Sequence, residues 1–229
     1  MRIMSDFVDI RVVSSQKEFT DAMNVRRQVF VDEQKISFDL EFDGNDFVAT
    51  HIIAYYEAEP VGTVRLRYFK DFTKLERLCV VAPMRKTNIS NLLIESCMMF
   101  SAAKGYEYIH ALCKKELLNR WAEEKFFPIE GAPTVQQNGL TLVPIEKKMD
   151  LPDDYITSKT SPEILNLREG EWFEQLKIER SAVLDRAKQI AHFEKMTDKV
   201  RTLKLNLNAK PLNWHAPLKY DAIDIFHTR

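Results

Sequence analysis

Cysteine is scarce in this 229-residue chain: Cys79, Cys97 and Cys113 stand in apolar surroundings with no CxxC spacing. That excludes a disulfide framework and a zinc ribbon, and such cysteines are usually small buried hydrophobes. A basic excess is also absent. The 33 Lys and Arg against 34 Asp and Glu leave a formal charge of -1, which argues against a nucleic-acid footprint. No apolar run approaches the roughly 20 residues of a membrane span. Met1-Arg2-Ile3-Met4-Ser5-Asp6 opens no signal-peptide apolar core, so a reducing, cytoplasmic setting is expected. The five histidines are scattered, with no HxxxH or Cys/His cluster, and no metal site is expected. Internal repeats and low-complexity runs are missing as well.

What is present is ordinary for a folded domain, with 45% hydrophobic and 29% charged residues. The length fits one sizeable domain, or a domain of about 150 residues plus an extension. Residues 7–13 alternate loosely and suit an edge strand. Residues 15–32 are helical in pattern. Ser15 stands three residues before Glu18, the spacing of a capping box, and Phe19, Met23, Val25, Arg26, Val29 and Phe30 recur at helical intervals. Residues 47–57 and 61–69 read as strands joined by a turn at Glu57-Ala58-Glu59-Pro60. Residues 75–81 read as a buried strand, and 90–104 as a helix that Gly105 ends in the C-cap role. A strand over 108–113, a helix over 115–126 and a strand over 140–148 complete the pattern. Early hairpins and late helical crossovers predict a mixed sheet with helices on both faces.

Past Asp150 the character changes. Residues 151–162 look like linker, and 169–199 form a strongly charged helical segment whose Trp172, Phe173, Leu176 and later apolar residues make one packed face. Residues 203–207 alternate as a strand does. The expected organisation is a domain over 1–150 and a C-terminal extension over 151–229.

Most of the chemistry lies in Lys74-Leu75-Glu76-Arg77-Leu78-Cys79-Val80-Val81-Ala82-Pro83-Met84-Arg85-Lys86-Thr87-Asn88-Ile89-Ser90. It predicts a buried strand, a loop and a helix start, aiming backbone N–H groups and the positive helix end at one spot that suits a pyrophosphate. Arg85 and Lys86 add positive charge. Asn88 is the residue type best able, after glycine, to take left-handed backbone, and Ser90 can cap the following helix.

This stretch resembles the acyl-CoA pyrophosphate loop of the GNAT N-acetyltransferases, Arg-Gly-x-Gly-x-Gly/Ala. Here it is Arg85-Lys86-Thr87-Asn88-Ile89-Ser90, with the arginine kept and the three glycines gone. Val25-Arg26-Arg27-Gln28-Val29-Phe30-Val31-Asp32-Glu33-Gln34 resembles the first-helix signature of one branch, followed by Glu41-Phe42-Asp43-Gly44-Asn45-Asp46. Thr50-His51 and Pro60-Val61-Gly62-Thr63-Val64-Arg65-Leu66 match its second and third strands. Trp121-Ala122-Glu123-Glu124-Lys125-Phe126-Phe127 sits where the family often has Phe-Tyr-x-x-x-Gly-Phe. The matches cover nearly all of residues 7–149 and nothing after.

The resemblance implies an α/β fold with a GNAT-like mixed, mostly antiparallel sheet flanked by helices, plus a helical C-terminal extension. It implies acetyl-CoA or another acyl-CoA as co-substrate, no metal, and a small-molecule or peptide amine as acceptor, acylated by direct attack on the thioester. Leu78, Cys79 and Val80 would hold the pantetheine arm. Arg85, Lys86, Thr87, Asn88, Ile89 and Ser90 would hold the pyrophosphate, and Asn119 would touch CoA. Glu76, on the strand beside the thioester, leads as the base, directly or through water; the plain alternative is a salt-bridged Glu next to Arg77. Arg26, Glu33 and Asp46 would line the acceptor pocket, with Glu33 and Asp46 orienting Arg26 as the alternative. His51 reads as a satisfied core histidine. Ala122 stands where relatives often carry a tyrosine acid.

Two other readings stay open. Arg26-x-x-x-Phe30 with Asp43-x-x-Asp46 also resembles the acyl-homoserine-lactone and N-acyl amino acid synthases, which share the fold but take long acyl chains, often from acyl carrier protein. Gly131-Ala132-Pro133 and Asn138-Gly139 resemble their last hairpin. The lost glycines and Ala122 instead suit a non-catalytic CoA-binding or assembly module. For the extension, a structural helix packed through Trp172 and Phe173 is expected, with pairing across a homodimer as the alternative.

Overall fold

Ser15 opens the first helix in the computed structural model of the chain, which describes residues 3–4, 8–137 and 139–173. Its Oγ accepts from the Glu18 N–H at 3.2 Å, and the Glu18 carboxylate accepts from the Ser15 N–H at 3.2 Å. This is the capping box that the spacing predicts. Helix α1 (Gln16–Arg26) runs into a π-wound turn, Arg27–Glu33. There the Gln34 N–H reaches back five residues to the Val29 carbonyl at 3.1 Å. Val29 and Phe30 remain buried through this turn.

Among the described residues nine strands make one sheet: β1 (Ile3–Met4), β2 (Val8–Val12), β3 (Thr50–Tyr56), β4 (Glu59–Tyr68), β5 (Phe72–Val80), β6 (Tyr108–Lys114), β7 (Phe127–Pro128), β8 (Val135–Gln137) and β9 (Leu140–Lys148). Their order is β1-β2-β3-β4-β5-β6-β9-β7, with β8 beside β9. Among these nine strands only β5·β6 is a parallel pair, and a parallel pair needs a long crossover. Helix α3 (Ile89–Ala103) supplies it. The mixed, mostly antiparallel α/β sheet is thus as expected.

Several local expectations change. The strand expected at the sheet edge, β2, is flanked by the two-residue β1. Residues 47–49 are not strand: Gly44, at φ 77°, turns the chain into a 3-10 turn, Asn45–Val48, that sends Asp46 inward. The β3–β4 turn places Glu57 and Ala58 at φ 51° and 68°, two left-handed residues without a glycine. The helix expected over 115–126 is a 3-10 turn, Lys115–Leu117, then α4 (Leu118–Glu123). Lys125, at φ 61°, ends it. A short α2 (Phe38–Glu41) follows the π turn, and α5 (Pro162–Leu165) lies near the end of the described chain.

The two faces of the sheet differ. On β5, Thr73 Oγ1 donates to Ser101 Oγ of α3 at 2.8 Å, so odd-numbered residues up to Leu75 face α3. The opposite face meets α1, α2 and the loops around them. Cys79, Cys97 and Cys113 are free and buried in this core. After β9 the chain crosses α3. Ile156 N–H donates to the Ala103 carbonyl at 2.8 Å, and Trp172 and Phe173 pack their rings 5.1 and 5.5 Å from Phe100. The rest of the charged segment over 169–199 and the alternation at 203–207 lie outside the described residues.

Candidate active site

Strand β5 keeps its ladder with β6 only from Phe72↔Tyr108 to Leu75↔Ala111. Beyond that point β5 continues to Val80 beside β4, and β6 continues to Lys114 beside β9. The two strands therefore part in the middle of the sheet. The register between β4 and β5 shifts at the same place, between Thr63 and Arg65, and Arg77 takes φ 54°. That is a β-bulge, a device that bends a strand and re-aims its side chains. Two consecutive residues now face one way. Glu76 meets Arg65 and Lys74, and Arg77 meets Glu41 and the Leu40 carbonyl.

Past the bulge, Val81 N–H bonds the Val61 carbonyl across the β4 ladder at 2.9 Å. Alternation along the strand turns the peptide groups of Leu78 and Val80 the other way, toward the gap. A small cleft opens there, lined by Leu78, Cys79, Val80, Met84, Arg85, Lys86, Thr87 and Ser90. Seven of the ten expected CoA-contacting residues line this one cleft. Asn88 and Ile89 belong to the same loop. Asn119 lies on α4, next to Arg120, whose Nη2 donates to Asn91 Oδ1 on the first turns of α3.

The loop solves its geometry differently from the sequence expectation. Asn88 is at φ -84°, not left-handed, and it precedes α3 as the cap residue without a side-chain cap bond. Ser90 lies inside the helix rather than capping it. The left-handed residue is Lys86, at φ 68°. Thr87 tightens the turn by donating its hydroxyl to the Met84 carbonyl at 2.6 Å. A side chain in this backbone region costs roughly 1–2 kcal/mol, against a glycine entropy cost of about 0.5–1 kcal/mol. Lys86→Gly is therefore expected to stabilise the fold slightly, by about 0.5 kcal/mol, read as a higher melting temperature; a fall would show that Lys86 holds the loop by its side chain.

Arg85 is committed inward. Its two terminal nitrogens bind the Glu33 carboxylate at 2.6 and 2.7 Å, and its Nε donates to the Val80 carbonyl at 3.1 Å. This planar two-point pairing is the strong form of the arginine–carboxylate bond. It ties the loop to the end of the π turn, 52 residues earlier in sequence. Glu33 thus faces the loop, not Arg26.

Arg26 lies in a buried charge network on the face of the sheet opposite α3. Its Nε and Nη2 bind the Glu41 carboxylate and carbonyl at 2.6 and 2.8 Å, and its Nη1 binds Asp46. Arg65 holds Glu76 at 2.7 Å, Asp43 at 2.7 Å and Asp46 at 3.0 Å. Arg77 reaches Glu41 at 2.9 Å, and Lys74 reaches Glu76 at 2.9 Å. With Arg67, 3.6 Å from Glu76, five cations (Arg26, Arg65, Arg67, Lys74, Arg77) so face four carboxylates (Glu41, Asp43, Asp46, Glu76), and pairing is what buried charges require. Burial pushes the carboxyls of Asp43, Asp46 and Glu76 up, but their cationic partners outweigh it and hold all three below the usual carboxylate range. A buried carboxylate held low between Arg65 and Lys74 is a weak proton acceptor, so the salt-bridged alternative fits the surroundings of Glu76. His51 sits at the rim of the network, 3.3 Å from the Asp46 carbonyl. Burial and the nearby Arg26 push its pKa down to about 4, which keeps it neutral as a core histidine. Ala122 is exposed on α4.

The sequence reading missed Glu41 as the partner of Arg26 and Arg65 as a partner of Asp46, and did not join Asp43 and Arg77 to the same network, although all four stand in the quoted stretches. Alternation pairs Arg65 with Glu76 across the strands, but the bulge at Arg77 has no sequence signal.

A sheet parted between two central parallel strands, with a cleft running from the gap to the start of the crossover helix, is the architecture of the GNAT fold. No family model matches the chain. A Bacillus subtilis (strain 168) protein described as an acetyltransferase is 32% identical over 138 residues, 56% of this chain and 93% of that protein. The crystal structure of an N-acetyltransferase from Lactobacillus plantarum superposes with TM-score 0.58 at 21% identity, covering 62% of this chain and 98% of that one. The CoA-dependent acyl-homoserine lactone synthase BjaI superposes with TM-score 0.50 at 16% identity, covering 60% and 81%, so the second branch shares the fold. The chain belongs to the GNAT N-acetyltransferase superfamily. No helix among the described residues is long and apolar enough to cross a membrane.

Proposed function

We propose that this chain transfers an acyl group, acetyl first, from acyl-CoA to an amine of a small molecule or peptide by direct attack on the thioester. The observation that carries this is the end of the β5·β6 ladder at Leu75 and Ala111, with the bulge and the cleft at the same point. The peptide groups of Leu78 and Val80, turned into the gap, suit the amides of an extended pantetheine arm, which would lie there as an added strand. The start of the 15-residue α3 suits a pyrophosphate. Thr87, Asn88 and Ser90 border it, and Ile89, its side chain buried, offers its backbone alone. Lys86, exposed on the loop, would meet the phosphates, while Arg85 braces the loop from behind through Glu33. Asn119 would approach the same CoA from α4. Glu76 would fix Lys74 and Arg65 beneath the acceptor, and Arg26 and Asp46 would hold the acceptor-side wall in shape. A cytoplasmic setting is in keeping with three buried free thiols.

Cys79 lines the cleft, yet burial raises its thiol well above the ordinary value. A thiol held protonated is a poor nucleophile, which favours direct attack over an acyl-cysteine intermediate.

The test has two parts. Millimolar acetyl-CoA is expected to raise the melting temperature of the wild-type chain. Lys86→Gly, which removes one charge-assisted contact worth roughly 1.5–3 kcal/mol, is expected to weaken that binding by about tenfold or more. Thiol release from acetyl-CoA across a panel of polyamines, amino acids and peptides then reads turnover. No thermal shift with acetyl-CoA or longer acyl-CoAs would sink the proposal. Indifference to acyl-CoA combined with transfer from acyl carrier protein would favour the synthase branch, and binding without thiol release would favour the non-catalytic module.

A further inference from the structure

His110 stands on β6 in the last stretch of the β5·β6 ladder, paired in register with Lys74 of β5 and Glu146 of β9. Thr73 and its register partner Ile109 face α3, so His110 projects from the opposite face, the side of Glu76 and the charge network. The next residue, Ala111, is the last that β6 pairs with β5. The His110 backbone therefore stands one residue before the point where the two strands part. Its ring is partly open to solvent, at 22% exposure, and lies flat on Phe72 with ring centres 4.0 Å apart.

Its Nε2 is 3.1 Å from Glu146 Oε2. A carboxylate oxygen accepts, so Nε2 carries the proton and Nδ1 keeps its lone pair. Two charged groups act on the ring from the neighbouring strands, Lys74 on β5 and Glu146 on β9, and Glu76 lies beyond Lys74 on the same face of β5. Burial and Lys74 push the imidazole's pKa down while Glu146 pushes it up, and the net direction is down. An imidazole oriented by Glu146 on the strand that borders the gap has what Glu76 lacks, a lone pair not already committed to cations.

Resting on the acyltransferase function proposed above, we propose that His110, oriented by Glu146, is the proton acceptor for the incoming amine. The ammonium of the acceptor gives one proton to Nδ1. The freed amine nitrogen then bonds to the thioester carbonyl carbon, the C–S bond breaks, and the second nitrogen-bound proton goes to the departing CoA sulfur. The products are the amide, CoA thiol and an imidazolium that loses its proton to water.

His110→Gln, Glu146→Gln and wild type are to be compared with the amine from the panel that gives the fastest thiol release. His110→Gln is expected to lower kcat by about 100-fold or more and to abolish the acid limb of the pH profile, with the acetyl-CoA thermal shift unchanged. Glu146→Gln, which leaves the ring but not its orienting charge, should lose less. Hydroxylamine is already unprotonated at neutral pH and needs no base, so its acetylation should be nearly equal in His110→Gln and wild type. Full amine activity in His110→Gln would overturn the proposal. So would equal losses with the amine and hydroxylamine, or an acetyl-CoA-binding wild type that turns over no amine. A wild type that fails to bind acetyl-CoA or any acyl-CoA would instead bring down the acyltransferase function itself, and this proposal with it.

Discussion

Arg26→Met is expected to cost the domain about 3–5 kcal/mol, the penalty for leaving buried carboxylates without their cation. Arg26 is fully buried and holds Glu41 at two points and Asp46 at a third. Methionine fills much of the same space but leaves Glu41 and Asp46 in a site with one positive charge fewer. A domain of this kind is stable by only about 5–15 kcal/mol, so the urea midpoint should fall steeply. Arg26→Lys should recover little, because one ammonium cannot serve Glu41 and Asp46 along two directions of a planar fork. The adjacent Arg27 supplies the control. Its pair with Asp32, at 2.8 Å, is about half exposed on both sides, and such pairs contribute about 0–1 kcal/mol. Similar costs for Arg26→Met and Arg27→Met would mean that the buried network does not hold this face of the sheet together.

Stability should also climb with pH between about 4 and 6.5, and His51 should carry most of the climb. In the unfolded chain this imidazole takes up a proton near pH 6.5. In the folded chain burial and the repulsion of Arg26 delay protonation to about pH 4. Between those values the unfolded state binds one more proton than the folded state, so stability rises with pH. Fully expressed, the gap corresponds to roughly 3 kcal/mol. The low-held carboxylates Asp43, Asp46 and Glu76 act in the same direction but lower down, where their unfolded forms protonate near pH 4, whereas Glu41, whose carboxyl burial raises, works against the climb. His110 contributes in the same window with the same sign, reduced by its exposure. Urea midpoints at pH 4.5, 5.5 and 6.5 (roughly the span of a histidine titration) are to be measured for wild type and His51→Gln. The slope should flatten in the variant; an unchanged slope would assign the dependence to other groups.

Whatever depends on near neighbours in sequence was legible. Ser15 and Glu18 announce the capping box, Gly105 announces the end of α3, and the alternation over residues 108–113 announces β6. The location of the loop was legible for the same reason, since strand, turn and helix are contiguous there. Its internal geometry was not: only Lys86 occupies the left-handed region, and a lysine carries no such signal. Partnerships across many residues were hidden too, such as Arg85 with Glu33 and His110 with Glu146. The bulge at Arg77 defeats period-two counting outright, because it sends Glu76 and Arg77 to the same side of the sheet.

The parted sheet has one more consequence. A strand whose hydrogen-bonding side lacks a neighbour is an adhesive surface, able to recruit any extended chain. Most folds keep such edges at the rim, where lysines or prolines blunt them. This chain carries one in the middle of its sheet, along Leu78 to Val80, and Arg85 occupies the Val80 carbonyl with its own Nε. Pinned by Glu33, the guanidinium acts as a stopper against unwanted strands, a safeguard against self-association that would be lost along with Arg85.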